Sequence, residues 1–498
     1  MRSGDSPPPA AAPCPDPVSD AMALEGQDLD WGDAVGDLPR HFVSRGALVE
    51  ELERRIAGAG ARSDAGHGQA PGPIRGGRRQ ALRLLGTIDP AAYGASRNHL
   101  DGAVTGLSPY IRHGVLTLAE VRDAVFRRLG EKGLTGAEAQ RQGGKLISEL
   151  GWRDYWQRLW RRWGDGIWDD REPLKTGHAA AAYTSELPAD IREGRTGLAC
   201  MDAFAADLVG VGWLHNHARM WLAAYVVHWR RVRWQAGARW FLQHLLDGDP
   251  ASNNLSWQWV ASSFGSKPYL FNRANLERFG GSRFCRSCGR AASGCPFEAS
   301  YETLQARLFP PAATDLARAT PTQPWQGSAG GPGGDTPRQP VLWIHGEALG
   351  PANPALRKHP GAPALFVFDR ELITGGTATT GGRSGDASPL SRKRLVFLYE
   401  CLLELPVTIR WGDVAEQVVS FARRLGADGV ITSQAVDPRF EGVRARIAAA
   451  LPVQVLAPDP FVPLPDDPES RLDLRRFSRY WGTAEPAVWR LLPRGDGR

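Results

Sequence analysis

The stretch DGDPASNNLSWQWVASS, residues 247–263, combines two aspartates, two adjacent asparagines and a Trp-x-Trp pair. Packing a core does not require neighbouring asparagines, because a buried amide needs hydrogen-bond partners, and an ordinary turn does not require tryptophans. The combination predicts a binding site for a molecule that is polar and has a flat aromatic face. Twelve of the 18 tryptophans lie between Trp152 and Trp259. This enrichment predicts an aromatic-lined site or a path for electrons, with a tryptophan-rich helical core as the alternative.

Composition places the chain among globular proteins with more than one domain. Its 498 residues are 42% hydrophobic and 23% charged, which allows two or three domains with buried cores. The formal charge of +6 slightly favours a polyanionic partner, because basic side chains that neutralise phosphates release counterions. No run of about 18 apolar residues occurs, so no membrane span is predicted.

The N-terminal segment MRSGDSPPPAAAPCPDP lacks the charged-then-apolar layout of a signal peptide. Residues 1–28 are rich in proline and alanine and are predicted to form a disordered tail, and a cytoplasmic location is expected. In that compartment the six cysteines are expected to be free thiols or metal ligands and not disulfides. The sequence leaves the oligomeric state open, with a monomer as the expectation.

Helical patterns extend over residues 29–308 and predict an all-α domain. The segment GVLTLAEVRDAVFRRLG has apolar residues at helical spacing and a glycine stop, and SELGWRDYWQRLWRRWG and ARWFLQHLLDGD are helical in composition. The stretch from Leu214 to Trp229 is apolar nearly all round and predicts a buried helix. Residues 309–339 are a linker by composition.

After this linker the periodicity changes. Over residues 340–465, five β-rich runs alternate with helical stretches, which predicts an α/β domain with a doubly wound, Rossmann-like parallel sheet. No GxGxxG follows a strand and no Walker A pattern is present, so neither nucleotide fingerprint is found. Residues 466–498 are a C-terminal extension. The five runs are PVLWIHGEAL, PALFVFDREL, PVTIRWGD, DGVITSQAV and VQVLAPDPFV.

Several blocks of the helical region resemble the flavin-binding domain of the DNA photolyase and cryptochrome family. They are TGLSPYIRHGVLT, SELGWRDYW, TGLACMDAF, GWLHNHARM and DGDPASNNLSWQW, in the family's order, with a tryptophan thirteen residues before the last block. The resemblance covers residues 90–275 and implies a photolyase-type FAD-binding domain. Family members begin with the α/β domain, whereas here an α/β region follows the flavin domain, so the chain resembles a circularly permuted member.

The resemblance implies an FAD held in a bent conformation by the helical domain. Tyr93 and the loop with Thr105, Leu107 and Ser108 would contact its phosphates and ribitol. Taken alone, TGLSPY is also a good helix start. The family's arginine in this block is Gly106 here.

Arg219 and Asp247 match the family's paired charges beside the flavin ring. Burying either one without the other would cost about 3–5 kcal/mol, so we expect them to occur together. Asp249 would reach the ribityl chain or the ring edge. Asn253 matches the asparagine beside the reactive flavin nitrogen, where a neutral amide serves either protonation state. The predicted cofactor contacts also include Arg153 and Asn216.

Glu149 and Trp152 are three residues apart and share a helix face. In the family, the matching carboxylate hydrogen-bonds to the flipped-out lesion and the tryptophan stacks on it, while Trp259 matches the opposing wall. Without the motif context, this segment is an amphipathic helix with a tryptophan stripe. The predicted catalytic residues are Glu149, Trp152, Asn253 and Trp259.

Asn216 and Met220 bear on the choice of lesion. Enzymes that act on cyclobutane dimers typically show HN-x-x-RM at this place, whereas enzymes for (6-4) photoproducts usually have a histidine at the Asn216 position. Cyclobutane repair is therefore favoured.

Trp257 and Trp234 match the two inner members of the family's electron-transfer chain. The place of the third member falls near Ala181, which cannot carry an electron. Tyr183 or Trp168 are the alternatives, so the route by which the flavin is photoreduced is left open.

The segment FCRSCGRAASGCPF contains Cys285, Cys288 and Cys295, and Cys200 lies in TGLACMD. This set resembles the iron–sulfur branch of bacterial photolyases, which implies that the four thiolates hold a [4Fe–4S] cluster. Four thiolates would also suit a tetrahedral zinc ion.

The function that these observations predict is a light-driven DNA repair lyase, a deoxyribodipyrimidine photolyase whose partner is DNA with cyclobutane pyrimidine dimers. The alternative is a cryptochrome-like blue-light photoreceptor without repair activity, because one fold serves both. No motif in the α/β region identifies an antenna chromophore.

Overall fold

The computed structural model describes residues 37–58, 71–292, 294–311, 336–374, 389–464 and 472–493. The predicted tail and most of the predicted linker lie outside the described residues. A helical part precedes an α/β part, as predicted. Among the described helices, none is both long and apolar enough to cross a membrane.

The helical part is arranged around one helix of 28 residues, α6. Its neighbour α5 begins with a capping box, in which Thr117 and Glu120 satisfy each other's backbone amides. Helices α5, α6 and α10 confirm three of the predicted helical segments. The bounds are α1 (Arg45–Gly58), α2 (Arg78–Gly86), α3 (Pro90–Ser96), α4 (Ser108–Arg112), α5 (Leu118–Glu131), α6 (Gly136–Trp163), α7 (Ala189–Arg192), α8 (Ala199–Gly210), α9 (Asn216–Ala224), α10 (Trp234–His244), α11 (Pro250–Ala261), α12 (Arg273–Gly280), α13 (Arg283–Arg286) and α14 (Tyr301–Leu308).

The predicted helix from Leu214 to Trp229 is divided. Helix α9 ends at Ala224, and one π-helical turn continues over Tyr225–Trp229. The His228 ring in this turn is buried, with Nε2 3.0 Å from the Val260 carbonyl oxygen of α11. Apolar periodicity alone does not distinguish an α-turn from a π-turn, because one extra residue is inserted without a change in composition.

All five predicted strands are present and form one parallel sheet in the order β3-β2-β1-β4-β5. In the central strand, Leu342 lies opposite Ala364 on one side and Ile431 on the other. The predicted parallel sheet is confirmed. The bounds are β1 (Pro340–Ile344), α15 (Pro354–Lys358), β2 (Ala364–Asp369), α16 (Arg370–Thr374), α17 (Arg392–Leu402), β3 (Thr408–Gly412), α18 (Val414–Arg424), β4 (Gly429–Ser433), α19 (Pro438–Ala448), β5 (Val453–Leu456) and α20 (Phe477–Trp489).

Alternate side chains of β1 enter two different cores, as the two-residue period of a strand requires. Trp343 packs with α18 and α19. Leu342 packs into a second core that also contains α17 and the helices α4, α5 and α6. In this second core the Tyr110 ring of α4 lies 5.3 Å from the Phe397 ring of α17. The helical and α/β parts therefore share one continuous core.

Close backbone approach holds the two parts together as well. Gly114 has a φ of +61°, and a Cβ at this position would lie 2.2 Å from the Glu347 carbonyl oxygen, so only glycine fits. On the other side of the interface, Lys393 Nζ of α17 donates to the Val209 carbonyl oxygen at 2.7 Å. The Lys393–Val209 hydrogen bond is buried.

Segments from both ends of the described chain pack against the other part. Leu38 N donates to the Ile409 carbonyl oxygen at 2.7 Å and so extends the β3 edge of the sheet. The Tyr399 hydroxyl of α17 donates to the Pro39 carbonyl oxygen at 2.6 Å. Helix α20, within the predicted extension, returns to pack on α6. Residues 37–56, assigned by sequence to the helical domain, thus contact the α/β part.

Candidate functional site

Asp247, Gly248 and Asp249 form the turn between α10 and α11, here called the DGD turn. Asp249 caps α11, because its Oδ2 accepts hydrogen bonds from Ser252 N at 2.9 Å and Ser252 Oγ at 2.7 Å. Pro250 occupies the first helical turn, where its fixed φ favours helix initiation. The local sequence therefore fixes both carboxylates at the start of one helix.

Arg219 of α9 and Asp247 form the predicted ion pair, with Arg219 Nη2 2.8 Å from Asp247 Oδ2. Arg219 Nε also donates to the Leu214 carbonyl oxygen at 2.9 Å. Asp247 is buried, and among the described residues its Oδ1 has no hydrogen-bond partner. Buried carboxylate oxygens are nearly always paired, so this acceptor fits a bound molecule with N–H or O–H groups. A flavin with its ribityl chain has both.

Asp249 is only 2% exposed and is surrounded by donors. Gln157 Nε2 lies 3.0 Å from both of its oxygens, Arg153 Nη1 at 3.6 Å and Arg112 Nε at 3.8 Å. Burial alone would raise the pKa of Asp249, but Arg153, Arg112 and the hydrogen bonds from Ser252 outweigh it and hold the pKa below its usual range. A cofactor that contacts Asp249, as predicted, would have to share its carboxylate oxygens with these protein donors.

Two guanidinium groups from different parts of the chain meet at the DGD turn. Arg112 Nε of α4 and Arg394 Nη2 of α17 donate to the Gly248 carbonyl oxygen at 2.9 Å and 2.8 Å. Arg112 Nη1 is also 2.8 Å from Glu347 Oε1, which follows β1. Burial, with the nearby Arg112 charge, lowers the pKa of Arg394 to about 9, which leaves it charged at neutral pH. The α/β part thus helps to hold this turn.

Sequence reasoning missed both arginines. Arg112 lies inside the quoted block TGLSPYIRHG and could have been selected from it. Arg394 lies in SRKR, which has the composition of a solvated basic cluster, and only the fold shows that it is buried.

Asn253 lies on α11 and faces α10. Its Nδ2 donates to the Ala238 carbonyl oxygen at 3.0 Å and to Asn254 Oδ1 at 3.1 Å. Asn254 is fully buried, and its Nδ2 has no partner within the described part of the chain. These hydrogen bonds fix the orientation of the Asn253 amide. The role predicted for Asn253, a contact with the reactive flavin nitrogen, stays a prediction.

The predicted phosphate loop precedes α4. Leu107 N donates to Thr105 Oγ1 at 3.3 Å, and Ser108 Oγ accepts a hydrogen bond from Trp213 Nε1 at 3.2 Å. This last bond joins the TGLSPY and GWLHN blocks. Gly106 has a φ of +64°, a conformation that side chains rarely adopt, so the backbone accounts for glycine where the family has arginine.

Tyr93 and Glu149 meet where α3 packs on α6. Glu149 Oε1 lies 2.8 Å from Lys145 Nζ and 3.4 Å from Arg97 Nη1. Burial raises the pKa of Tyr93, and the charge of Glu149 adds to the rise. A residue predicted to contact the cofactor and one predicted to contact the lesion are therefore neighbours.

The other residues predicted at the lesion are partly exposed. Trp259 is 40% exposed, with its ring 5.5 Å from Tyr269. Asn216, predicted to contact the cofactor, is also exposed, and its Nδ2 lies 3.6 Å from Met220 Sδ. Trp152 is half-buried on α6. Accessible aromatic faces with nearby polar groups suit an extruded base.

Trp257 and Trp234 are buried neighbours in one core. Trp257 packs on Gly237, one turn after Trp234 on α10, where a Cβ would lie 2.2 Å from the indole. Trp234 Nε1 donates to Asp170 Oδ1 at 2.6 Å. Tyr183 is buried in the same core, and its pKa is raised by burial and by Asp170. Trp168 packs at the edge of this core and Ala181 is exposed.

The four predicted metal-binding cysteines, Cys200, Cys285, Cys288 and Cys295, line one small pocket. Burial raises the pKa of Cys200 to about 12, and the nearness of the other three thiols adds to the rise. Among the described residues, no three His, Cys, Asp or Glu side chains are grouped to hold a metal ion. A zinc site needs all sulfurs about 2.3 Å from one centre. Four thiols that line one pocket are a ligand set that suits either a tetrahedral zinc ion or a [4Fe–4S] cluster, in which each thiolate binds a different iron.

A scan against family models matches residues 146–281 to the FAD-binding domain of DNA photolyase. The match begins at the middle of α6 and ends after α12. It includes the DGD turn, α9 and α11, which are the elements that carry the Arg219–Asp247 pair.

Curated relatives match over part of the chain. A deoxyribodipyrimidine photo-lyase of Streptomyces griseus is 34% identical over 198 residues, 39% of this chain and 41% of that protein. A Neurospora crassa protein described as a mitochondrial cryptochrome DASH is 27% identical over 226 residues, 38% of this chain and 30% of that protein. The chain spans less than half the length of the curated relatives it matches.

Among solved structures, a bacterial class III photolyase from Agrobacterium tumefaciens is similar at 26% identity. The match covers 46% of this chain and 49% of that one, with a TM-score of 0.35.

Proposed function

We propose that this protein is a deoxyribodipyrimidine photolyase, a lyase that uses light and bound FAD to split cyclobutane pyrimidine dimers in DNA. The observation that carries the proposal is the placement of α6. This helix bears Glu149 and Trp152, which resemble the family's lesion contacts, and also Arg153, whose guanidinium lies 3.6 Å from Asp249 in the DGD turn. One rigid helix would set the distance between lesion and cofactor.

When bound, FAD supplies the electron that light drives into the dimer. Arg219 and Asp247 would orient the flavin, because Asp247 Oδ1 is a buried acceptor whose partner is missing from the described residues. Asn253, held by Ala238 and Asn254, would present an amide to the ring. The loop of Thr105 to Ser108, together with Tyr93, Arg153, Asn216 and Asp249, would complete the cofactor contacts.

On the lesion side, Trp152 and Trp259 would stack on the extruded bases. Glu149 would offer a hydrogen-bonding carboxylate, which Lys145 and Arg97 hold in position. Trp257 and Trp234 would pass electrons to the flavin, with Tyr183 the best placed candidate for the next step because it shares their core and lies near Asp170.

The test is dimer loss from a duplex with a single thymine dimer, incubated with FAD-loaded, reduced protein under blue light. We expect loss with the wild type and a strongly reduced rate with Glu149→Ala. The matched control is Glu138→Ala in the first turn of α6, where the carboxylate contacts only Arg141 and Gln142 among the described partners. No loss above the dark control would refute the lyase proposal. Replacing the dimer by a (6-4) photoproduct tests the preference inferred from Asn216.

The alternative function, a blue-light photoreceptor, has the similarity to the Neurospora cryptochrome DASH in its favour. The same assay decides between the two, because a photoreceptor would bind FAD and respond to light without consuming the dimer.

We also propose a [4Fe–4S] cluster at Cys200, Cys285, Cys288 and Cys295, supported by their shared pocket. Iron and sulfide content and visible absorbance are the measurements. Cys288→Ser should abolish both. Cys401→Ser should leave both unchanged, because Cys401 is buried in α17, where its sulfur accepts a hydrogen bond from Gly77 N at 3.2 Å. Zinc without iron would contradict the proposal.

Two further parts of the proposal concern the whole chain. We infer a circularly permuted photolyase, supported by the helical part preceding the α/β part and by the family match lying in the helical part. A cytoplasmic location is the expectation that goes with free or cluster-bound cysteines.

A further inference from the structure

Three aromatic rings form a stack between α6 and α20. The Trp152 and Phe477 rings are 3.7 Å apart with an interplanar angle of 9°, and the Phe477 and Trp481 rings are 5.6 Å apart at 13°. Face-to-face contact over this distance covers one side of the Trp152 indole. We propose that Phe477 is a positioning residue that holds the Trp152 indole in one orientation, ready for contact with an extruded base. The inference rests on the proposed function.

Helix α20 is firmly attached at this place. The Tyr480 hydroxyl donates to Asp154 Oδ2 at 2.6 Å, and the Tyr155 hydroxyl donates to the Leu474 carbonyl oxygen at 2.9 Å. Trp481 lies so close to Gly151 that a Cβ there would be 2.1 Å from the indole. Phe477 is therefore anchored by the contacts on both sides of it.

Helix geometry shows from which side of α6 the contacts with α20 are made. Successive residues of an α-helix are rotated by about 100°, so Gly151, Asp154 and Tyr155, which contact α20, all lie about 60–160° to one side of Trp152. Glu149 lies about 60° to the other side. The Trp156 ring lies on the Glu149 side, about 40° from Trp152 around the helix, and is 5.0 Å from the Trp152 ring at an interplanar angle of 35°. Phe477 on the α20 side and Trp156 on the other side therefore fix the Trp152 ring, which stays half-buried.

The physical consequence is preorganisation. A half-exposed tryptophan without a backing ring samples several rotamers, and binding would have to order it. The Trp152 ring, held by the stacked Phe477 ring, is already in place, which favours binding. The benefit applies only to ligands that stack on Trp152, so it affects damaged DNA and leaves general DNA affinity unchanged.

The experiment measures dark equilibrium binding of FAD-loaded protein to a duplex with one thymine dimer and to the same duplex without it. We expect Phe477→Leu to weaken binding of the damaged duplex by about tenfold, within the range of one lost base–aromatic stack, and to leave the undamaged duplex unaffected. Phe477→Tyr should restore wild-type affinity. The matched control is Phe440→Leu, which removes a ring that stacks on Trp343 at 10° in the α/β part.

Each result has a defined meaning. Equal damaged-duplex affinity for the wild type and Phe477→Leu, with equal flavin content, would overturn the inference. Tighter binding by Phe477→Leu would overturn it as well and would show that Phe477 blocks the binding face. A wild type that does not prefer the damaged duplex would refute the proposed function, and the inference with it.

Discussion

The buried pair of Arg219 and Asp247 gives the sharpest prediction of stability. The side chain of Asp247 is 5% exposed and that of Arg219 is 24% exposed, with 2.8 Å between the charged atoms. At an effective dielectric constant of about 20, charges about 4 Å apart attract by about 4 kcal/mol. Arg219→Met removes the cation and leaves a buried carboxylate with neither oxygen paired. We expect a loss of about 3–5 kcal/mol in the free energy of unfolding.

Asp247→Asn should be milder, because the amide oxygen still accepts from Arg219 and the cation that loses its partner is 24% exposed, so water can solvate it. We expect a loss of about 1–2 kcal/mol. In the double variant the uncompensated charge is gone, so the loss should be smaller than the sum of the two single losses by about 2 kcal/mol.

The assay is urea unfolding of flavin-free protein followed by tryptophan fluorescence. This probe reports on the helical part, since twelve of the 18 tryptophans lie between residues 152 and 259. A mutant cycle that is additive within about 0.5 kcal/mol would refute the reasoning, because it would show that the two charges do not depend on each other. Flavin retention by the same variants, measured after gel filtration, should fall in the same order.

Three other predictions follow from contacts described above. Arg394→Met removes one of the two charged donors at the DGD turn, so the unfolding free energy should fall by about 1.5–3 kcal/mol in urea titrations. Gly237→Ala forces a Cβ against Trp257 and should lower the free energy of unfolding by about 1–3 kcal/mol. The control Gly144→Ala on α6, with open space around it, should not lower it. Equal melting temperatures of the two variants would contradict this prediction. Burial lowers the pKa of His228 to about 4, below about 6.5 in an unfolded chain. The unfolded state binds the extra proton between these values, so stability should fall by about 3 kcal/mol as pH drops from 6.5 to 4, and His228→Phe should remove this part of the slope.

Much of the fold follows from local patterns. The five strands alternate with helices in the predicted order because short β-branched runs bounded by turns have few alternatives. The cap of α11 is also local, since it joins Asp249 to Ser252, three residues further on. The Arg219–Asp247 pair is 28 residues apart in sequence, and only the family motif, not periodicity, predicts it.

The remaining features depend on contacts between distant segments. Arg394 reaches Gly248 across 146 positions, and nothing in SRKR distinguishes a buried donor from a solvated one. The same applies to Phe477, whose contact with Trp152 requires α20 to fold back over the helical part. Such contacts are set by tertiary packing, which neither residue type nor spacing encodes.

The crossing of the two chain ends affects how a nascent polypeptide acquires its shape. During translation, α6 emerges from the ribosome more than 300 residues before α20. The aromatic surface of α6 on which α20 packs therefore stays uncovered until α20 has been synthesised. The helical part and the α/β part cannot fold one after the other as independent units. The helical part is completed by α20, which is synthesised after the sheet, and the α/β part is contacted by residues 37–56, which are synthesised before the helical part. Chaperone dependence and release of unfinished polypeptides as insoluble material are the expected biological signs of this arrangement.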